Sequence, residues 1–169
     1  MSEPSPDGSV ETRDGRHVLR FERTLEHPIE RVWAALTEPD ELMGWLGSVD
    51  IDPVLGGSVE LRWLNTDEHG NSAVLHGTIT AFEAPSVLEI DSDIHGLLRW
   101  QLAAEGTACR LVFTSSIPAP NEYLPSLLSG WHSHLDFLAD SLDGRPVDWP
   151  NWPFDHWRAL NERYEASQT

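Results

Sequence analysis

The chain has 169 residues and a formal net charge of −17, with 28 acidic residues against 11 basic ones, all arginine. That excess of acid argues against a nucleic-acid or anionic-membrane partner, since either would need a basic face to meet phosphate, and it reads instead as a solubility device. The length suits one domain with a sizeable core, no apolar run approaches the ~20 residues needed to cross a bilayer, and the single cysteine, Cys109, excludes an internal disulfide and fits a reducing, cytoplasmic setting.

Met1 to Asp14 is polar, carries Pro and Gly, and lacks an apolar stretch. It is predicted to be a disordered leader (residues 1–15), not a signal peptide. Arg20 to Leu25 alternates like a half-buried strand. Pro28 suits the first turn of a helix, and Ile29, Val32, Trp33 and Leu36 follow at the spacing of one helical face. Pro39 argues against simple continuation. Thr37 with Asp40 three residues later reads as the cap of a second short helix, whose apolar side is Leu42, Trp45 and Leu46.

The middle of the chain has the period of an antiparallel sheet. Val59, Leu61 and Trp63 alternate with Ser58, Glu60 and Arg62. Asn65 to Ser72 reads as a hairpin loop, Ala73 to Phe82 as a strand, and Val87 to Asp91 as the next. Leu98, Trp100 and Leu102 share one parity, as do Cys109, Leu111, Phe113 and Ile117 on the last strand. Seven strands, the first set apart by two helices, do not make a doubly wound parallel sheet. They predict an α+β chain with one curved antiparallel sheet.

A long amphipathic helix follows. Leu124, Leu128, Trp131, Leu135, Leu138 and Leu142 form one stripe, Ser129, Ser133, Asp136 and Asp140 lie on the polar side, and Gly144 is placed to end the helix. Gly130, His134, Phe137 and Ser141 make a second stripe, which would expose Phe137 unless something covers it. The tail beyond Gly144 holds Trp149, Trp152, Phe154 and Trp157, and its last part, with Trp157, Leu160 and Tyr164, reads as a short helix. The domain is therefore expected over 16–144, with residues 145–169 as an extension packed on the long helix. The rival is a homodimer interface using the same patch.

The run Pro28, Val32, Trp33, Ala35, Leu36, Thr37, Pro39, Leu42 and Trp45 resembles the opening of the START-like (SRPBCC) superfamily, in the branch named after the activator of heat-shock protein 90 ATPase. The similarity continues at Gly56-Gly57, His76-Gly77, Leu98-Arg99-Trp100 and Gly130-Trp131, and covers roughly residues 18 to 144. The resemblance implies a helix-grip fold, in which the space between sheet and helix often holds an apolar ligand. Fold alone does not fix activity.

The chemistry-bearing residues give no catalytic constellation. His132 and His134 point about 160° apart on a helix, and His132 with Asp136 supplies only two ligands where zinc needs three or four. No metal and no cofactor is expected. His76, within an apolar strand, reads first as a satisfied core or rim histidine. Asp91, Asp93 and His95 read as a solvated turn, and Cys109 as inert packing. No GxSxG elbow or phosphate-cradling glycine loop is present.

Aromatics are the remaining signal. Trp45, Trp63, Trp100, Phe113, Leu128, Trp131 and Leu135, with His76 at the rim, are expected to line a gap between sheet and helix. Patterning alone favours a filled core there; the resemblance shifts the expectation to a cavity. Three functions stay open: a binding protein for a hydrophobic or aromatic small molecule, a chaperone-associated interaction module, and a cyclase, hydrolase or resistance protein acting on an aromatic natural product. Direct stimulation of the chaperone ATPase is not expected, because the short leader offers no counterpart to the separate amino-terminal domain of the family's activators.

Overall fold

A computed structural model describes residues 6–65 and 73–167. Eight antiparallel strands form one open, curved sheet: β1 (Ser9–Arg13), β2 (Arg16–Leu25), β3 (Gly47–Ile51), β4 (Ser58–Trp63), β5 (Val74–Glu83), β6 (Val87–Ser92), β7 (Leu97–Glu105) and β8 (Ala108–Pro118). The spatial order is β1-β2-β8-β7-β6-β5-β4-β3. Two short helices, α1 (Ile29–Thr37) and α2 (Pro39–Leu42), join β2 to β3, the strand at the far edge of the sheet. The long helix α3 (Leu124–Leu142) grips the sheet, and a 3-10 turn (Trp149–Asn151) leads to α4 (Phe154–Ser167).

The leader expectation is corrected over Ser9–Arg13, which is paired with β2. The turn explains it. Asp14 and Gly15 have φ of +53° and +75°, the two left-handed positions of a type I′ hairpin, for which Asp-Gly is a preferred pair. The sheet has eight strands, one more than expected; β3, like β1, falls outside the spans read as strands from the sequence and is a short edge strand with partly buried Val49 and Ile51. The hairpin loop expected at Asn65–Ser72 lies, apart from Asn65, outside the described residues.

Helix ends also differ from expectation. Pro28 is the N-cap of α1 and Glu38 that of α2, with Pro39 opening the second helix. Thr37 does not cap α2: its hydroxyl donates back to the Trp33 carbonyl at 2.9 Å, the intrahelical bond that serine and threonine make when a cap is not available. Leu42, Trp45 and Leu46 are buried as a group although α2 is a single turn. Trp45 Nε1 holds the pair of helices together by donating to the Ala35 carbonyl at 2.8 Å.

The core lies between the sheet and α3. Leu19 and Phe21 of β2, Leu98 and Trp100 of β7, and Leu111 and Phe113 of β8 face Leu128, Trp131, Leu135 and Leu138 of α3, all buried. Parity on β2 also turns Arg23 inward, where Nη1 donates to Asp136 Oδ1 of α3 at 2.8 Å. Gly144, at φ +87°, ends the α3 segment in the conformation glycine adopts most readily.

Much of the polar side of α3 is buried, although Asp140 stays exposed. Ser129, His132 and Ser133 are buried, because α4 lies along that side. Ser129 Oγ donates to Asn161 Oδ1 at 3.1 Å, and His132 Nδ1 is 2.7 Å from the Tyr164 hydroxyl. Phe137 is buried too, edge-on to Trp149 with ring centroids 6.0 Å apart. Trp149 Nε1 in turn donates to the Met43 carbonyl at 2.7 Å.

Candidate functional site

Period-2 alternation brings Leu61 of β4, Leu75 of β5, Ile90 of β6, and Leu98 and Trp100 of β7 to one apolar floor. Helices α1 and α2 add Leu36 and Leu42, Trp45 and Leu46 follow from the connector, and Trp131 descends from α3. Between them is a cavity of about 20 Å³. Its lining is almost wholly apolar. That is space for roughly one water, far below the ~300–1,000 Å³ typical of a small-molecule pocket, so in this conformation the side chains nearly fill the gap.

Of the residues expected to line it, Trp45, Trp100 and Trp131 do. Trp63 stands beside them, with its ring 5.5 Å from Trp131 and 4.9 Å from His134. Phe113 is packed against Trp131 at 4.6 Å and Trp100 at 4.8 Å; with Leu128 and Leu135 it belongs to the surrounding core and does not line the cavity. The expectation for His76 is corrected. It sits on the opposite face of β5 from Leu75, exposed, with its ring nitrogens 3.5 Å from Glu60 and Asp93. One step along a strand reverses the face.

Two histidines replace it near the site. His95 is not in a solvated turn: its ring packs edge-on to Trp63 at 5.5 Å and Trp131 at 5.8 Å. Burial pushes it down to about 4, against the opposing effect of Asp93. His134 is fully buried, its Nδ1 donating to the Trp45 carbonyl at 2.9 Å, and burial lowers it likewise to about 4. Both are neutral at neutral pH. His95 follows a turn, where no parity rule applies, and His134 belongs to the second stripe of α3.

Several ring atoms here are buried without a hydrogen-bond partner: Trp63 Nε1, Trp100 Nε1 and His95 Nδ1. Cys109 is buried in the core and its thiol is pushed up to about 11 by burial, which removes thiolate character. Among the described residues no group of three or more His, Cys, Asp or Glu side chains is placed to hold a metal ion, and no helix is long and apolar enough to cross a membrane.

The sequence profile of the family described as Activator of Hsp90 ATPase homolog 1-like protein matches residues 26–143. The chain belongs to this family. Solved structures share its helix-grip fold. CalU16 from Micromonospora echinospora is 22% identical, with 94% of each chain covered and a TM-score of 0.71. The protein encoded by BPP1335 of Bordetella parapertussis is 28% identical, covering 98% of this chain and 94% of its own, also at a TM-score of 0.71. DynU16, from the dynemicin biosynthetic locus, is 22% identical over 76% of this chain and 48% of its own, at a TM-score of 0.66. No curated protein matches the chain.

Proposed function

We propose that this chain is a binding protein for an aromatic or otherwise hydrophobic small molecule, taken up between the sheet and α3 without chemistry on it. The observation that carries this reading is the convergence of Trp45, Trp100 and Trp131 on one apolar space enclosed by three helices and the sheet. Tryptophan gives large, flat contact area at modest conformational cost, which suits a planar guest. The structural likeness to DynU16, described as a protein of a biosynthetic locus, supports it at the level of fold.

The cavity as it stands admits no such guest, so uptake requires opening. The α1–α2 segment is the element to move. It consists of two short helices, the second a single turn, and its opening would have to break the bonds of His134 to the Trp45 carbonyl and of Trp149 to the Met43 carbonyl. A closed state that opens for its ligand is a population shift, and its cost lowers apparent affinity. Micromolar binding is therefore expected. Titration with flavonoids, aromatic polyketides and fatty acids, followed by tryptophan fluorescence and by native mass spectrometry, tests the reading. A saturable one-to-one signal from an aromatic compound is the expected result, and its absence across the whole panel would overturn it.

A further inference from the structure

His132 is buried where α3, α4, β2 and the segment before β1 meet. Its Nδ1 lies 2.7 Å from the Tyr164 hydroxyl of α4 and 3.9 Å from Asp7. Its Nε2 lies 3.5 Å from Asp136, one turn along α3, and its ring stands edge-on to Phe21 of β2. The charges around it are already matched. Arg23 of β2 holds Asp136 at 2.8 Å, Arg163 of α4 holds Asp7 at 2.6 Å, and His156 of α4 also reaches Asp136 at 3.4 Å. The two carboxylates and the two guanidinium groups cancel, so a proton on His132 adds an unmatched buried charge. It also breaks a bond. The Tyr164 oxygen receives the Gly8 N–H at 2.9 Å, and its own proton goes to Nδ1, which accepts only while the imidazole is neutral.

We propose that α4 is an acid-released cover: protonation of His132 undocks it from α3 and from the Pro6–Gly8 segment, while the sheet and α3 stay folded. The footing of α4 is small. Its buried residues are Leu160 and Tyr164, against eleven in α3, and an element with few buried contacts opens locally at lower cost than the core. The Pro6–Gly8 segment has a second hold, since Arg23 donates to the Pro6 carbonyl at 2.8 Å. Departure of α4 frees Asp7 from Arg163 and admits water to the ring, so the new charge is accommodated. In the docked state burial is the main force that lowers His132, to about 4; Asp136 and Asp7 oppose it, and Arg23 and Arg163 assist. The undocked ring returns to the ordinary 6.5. Docking is therefore at full strength above about pH 6.5 and weakens as pH falls toward 4. The side of α3 laid bare carries Ser129, His132 and Ser133.

Hydrogen exchange of the full chain at about pH 7.5 and about pH 5, corrected for the intrinsic rate at each pH, tests the release. Protection of the α4 amides is expected to be roughly tenfold or more lower at the acid pH, and to lie below that of β7 and β8 at both. His132→Gln keeps a polar side chain that does not titrate, so its α4 protection should be the same at the two pH values. Three results overturn the proposal: α4 protection in the wild type that does not fall, α4 protection equal to that of β7 and β8 at the acid pH, or an undiminished fall in His132→Gln. Where His132→Gln fails to dock α4 even at the higher pH, the wild-type ring decides. A His132 imidazole that NMR shows titrating near 4 supports the release, and one titrating near its ordinary 6.5 overturns it.

Discussion

The two sides of α3 solve the same problem differently. On the side covered by α4, buried polar groups are joined in a chain: the Gly8 N–H donates to the Tyr164 hydroxyl at 2.9 Å, that hydroxyl donates to His132 Nδ1 at 2.7 Å, and His132 Nε2 lies 3.5 Å from Asp136, which also receives Arg23. On the sheet side, the polar atoms around Trp131 are left unpaired beside an apolar gap. A satisfied network makes one arrangement rigid, whereas unpaired buried groups bear the cost of leaving water. The first side is fixed by hydrogen bonds and the second by ring packing.

Trp131 carries the largest expected effect. Trp131→Ala should destabilise the protein by ~3–5 kcal/mol, the usual cost of deleting a buried aromatic, because its ring packs against Trp63, Trp100 and Phe113 with little free volume. Chemical denaturation of wild type and variant measures it. A loss below ~1 kcal/mol would mean that the ring sits in a roomy cavity and that the gap is more open than its present volume.

Acid should act on both sides of the helix. His95, His132 and His134 are each held near 4 in the folded protein, burial being the main cause, against an ordinary value of 6.5. Asp93 faces His95; Asp136, Asp7, Arg23 and Arg163 face His132; and His95 faces His134. The unfolded chain therefore binds protons that the folded one refuses. Stability should be fully present above about pH 6.5 and fall progressively as pH drops toward 4, by at most about 3 kcal/mol for the fully buried His134. His134→Asn places an amide where Nδ1 donates to Trp45, and should flatten its share of the slope in melts at pH 7 and pH 5. An unchanged slope would show that His134 is not held neutral by burial.

Tyr164 probes the satisfied side. Tyr164→Phe leaves His132 Nδ1 and the Gly8 N–H without a partner, and should cost about 1–2 kcal/mol. Removal of the hydroxyl without loss of stability would show the chain of bonds to be incidental. Ser133 sharpens the contrast from the other direction. Its hydroxyl is buried and unpaired although it lies on the α4 side, so Ser133→Ala should be neutral or slightly stabilising, within ~0.5 kcal/mol.

Elements with a clean period are legible in the sequence. The alternations at Val59, Leu61 and Trp63 and at Leu98, Trp100 and Leu102 place those side chains in the core, and the stripe from Leu124 to Leu142 is the gripping face. The misses have local causes. Ser9–Arg13 is a mostly exposed edge strand with no hydrophobic signal of its own, and only the Asp14-Gly15 turn announces it. His76 was one residue out of phase with its strand's buried face. His95 is drawn inward by tertiary packing after a turn, which no periodicity records. Around the gap, tryptophan positions were readable from parity, whereas the unpaired nitrogens depend on what each ring meets in three dimensions.

The indole N–H resonances of the eight tryptophans offer the most direct measurement. They can be assigned by single Trp→Phe variants and followed by two-dimensional NMR during addition of 5-hydroxyflavone. The account expects Trp63, Trp100 and Trp131 to shift in a saturable, one-to-one manner, while Trp149, Trp152 and Trp157 in the tail stay in place. Shifts confined to the tail tryptophans, or no shift at any of the eight, would contradict a binding site between the sheet and α3.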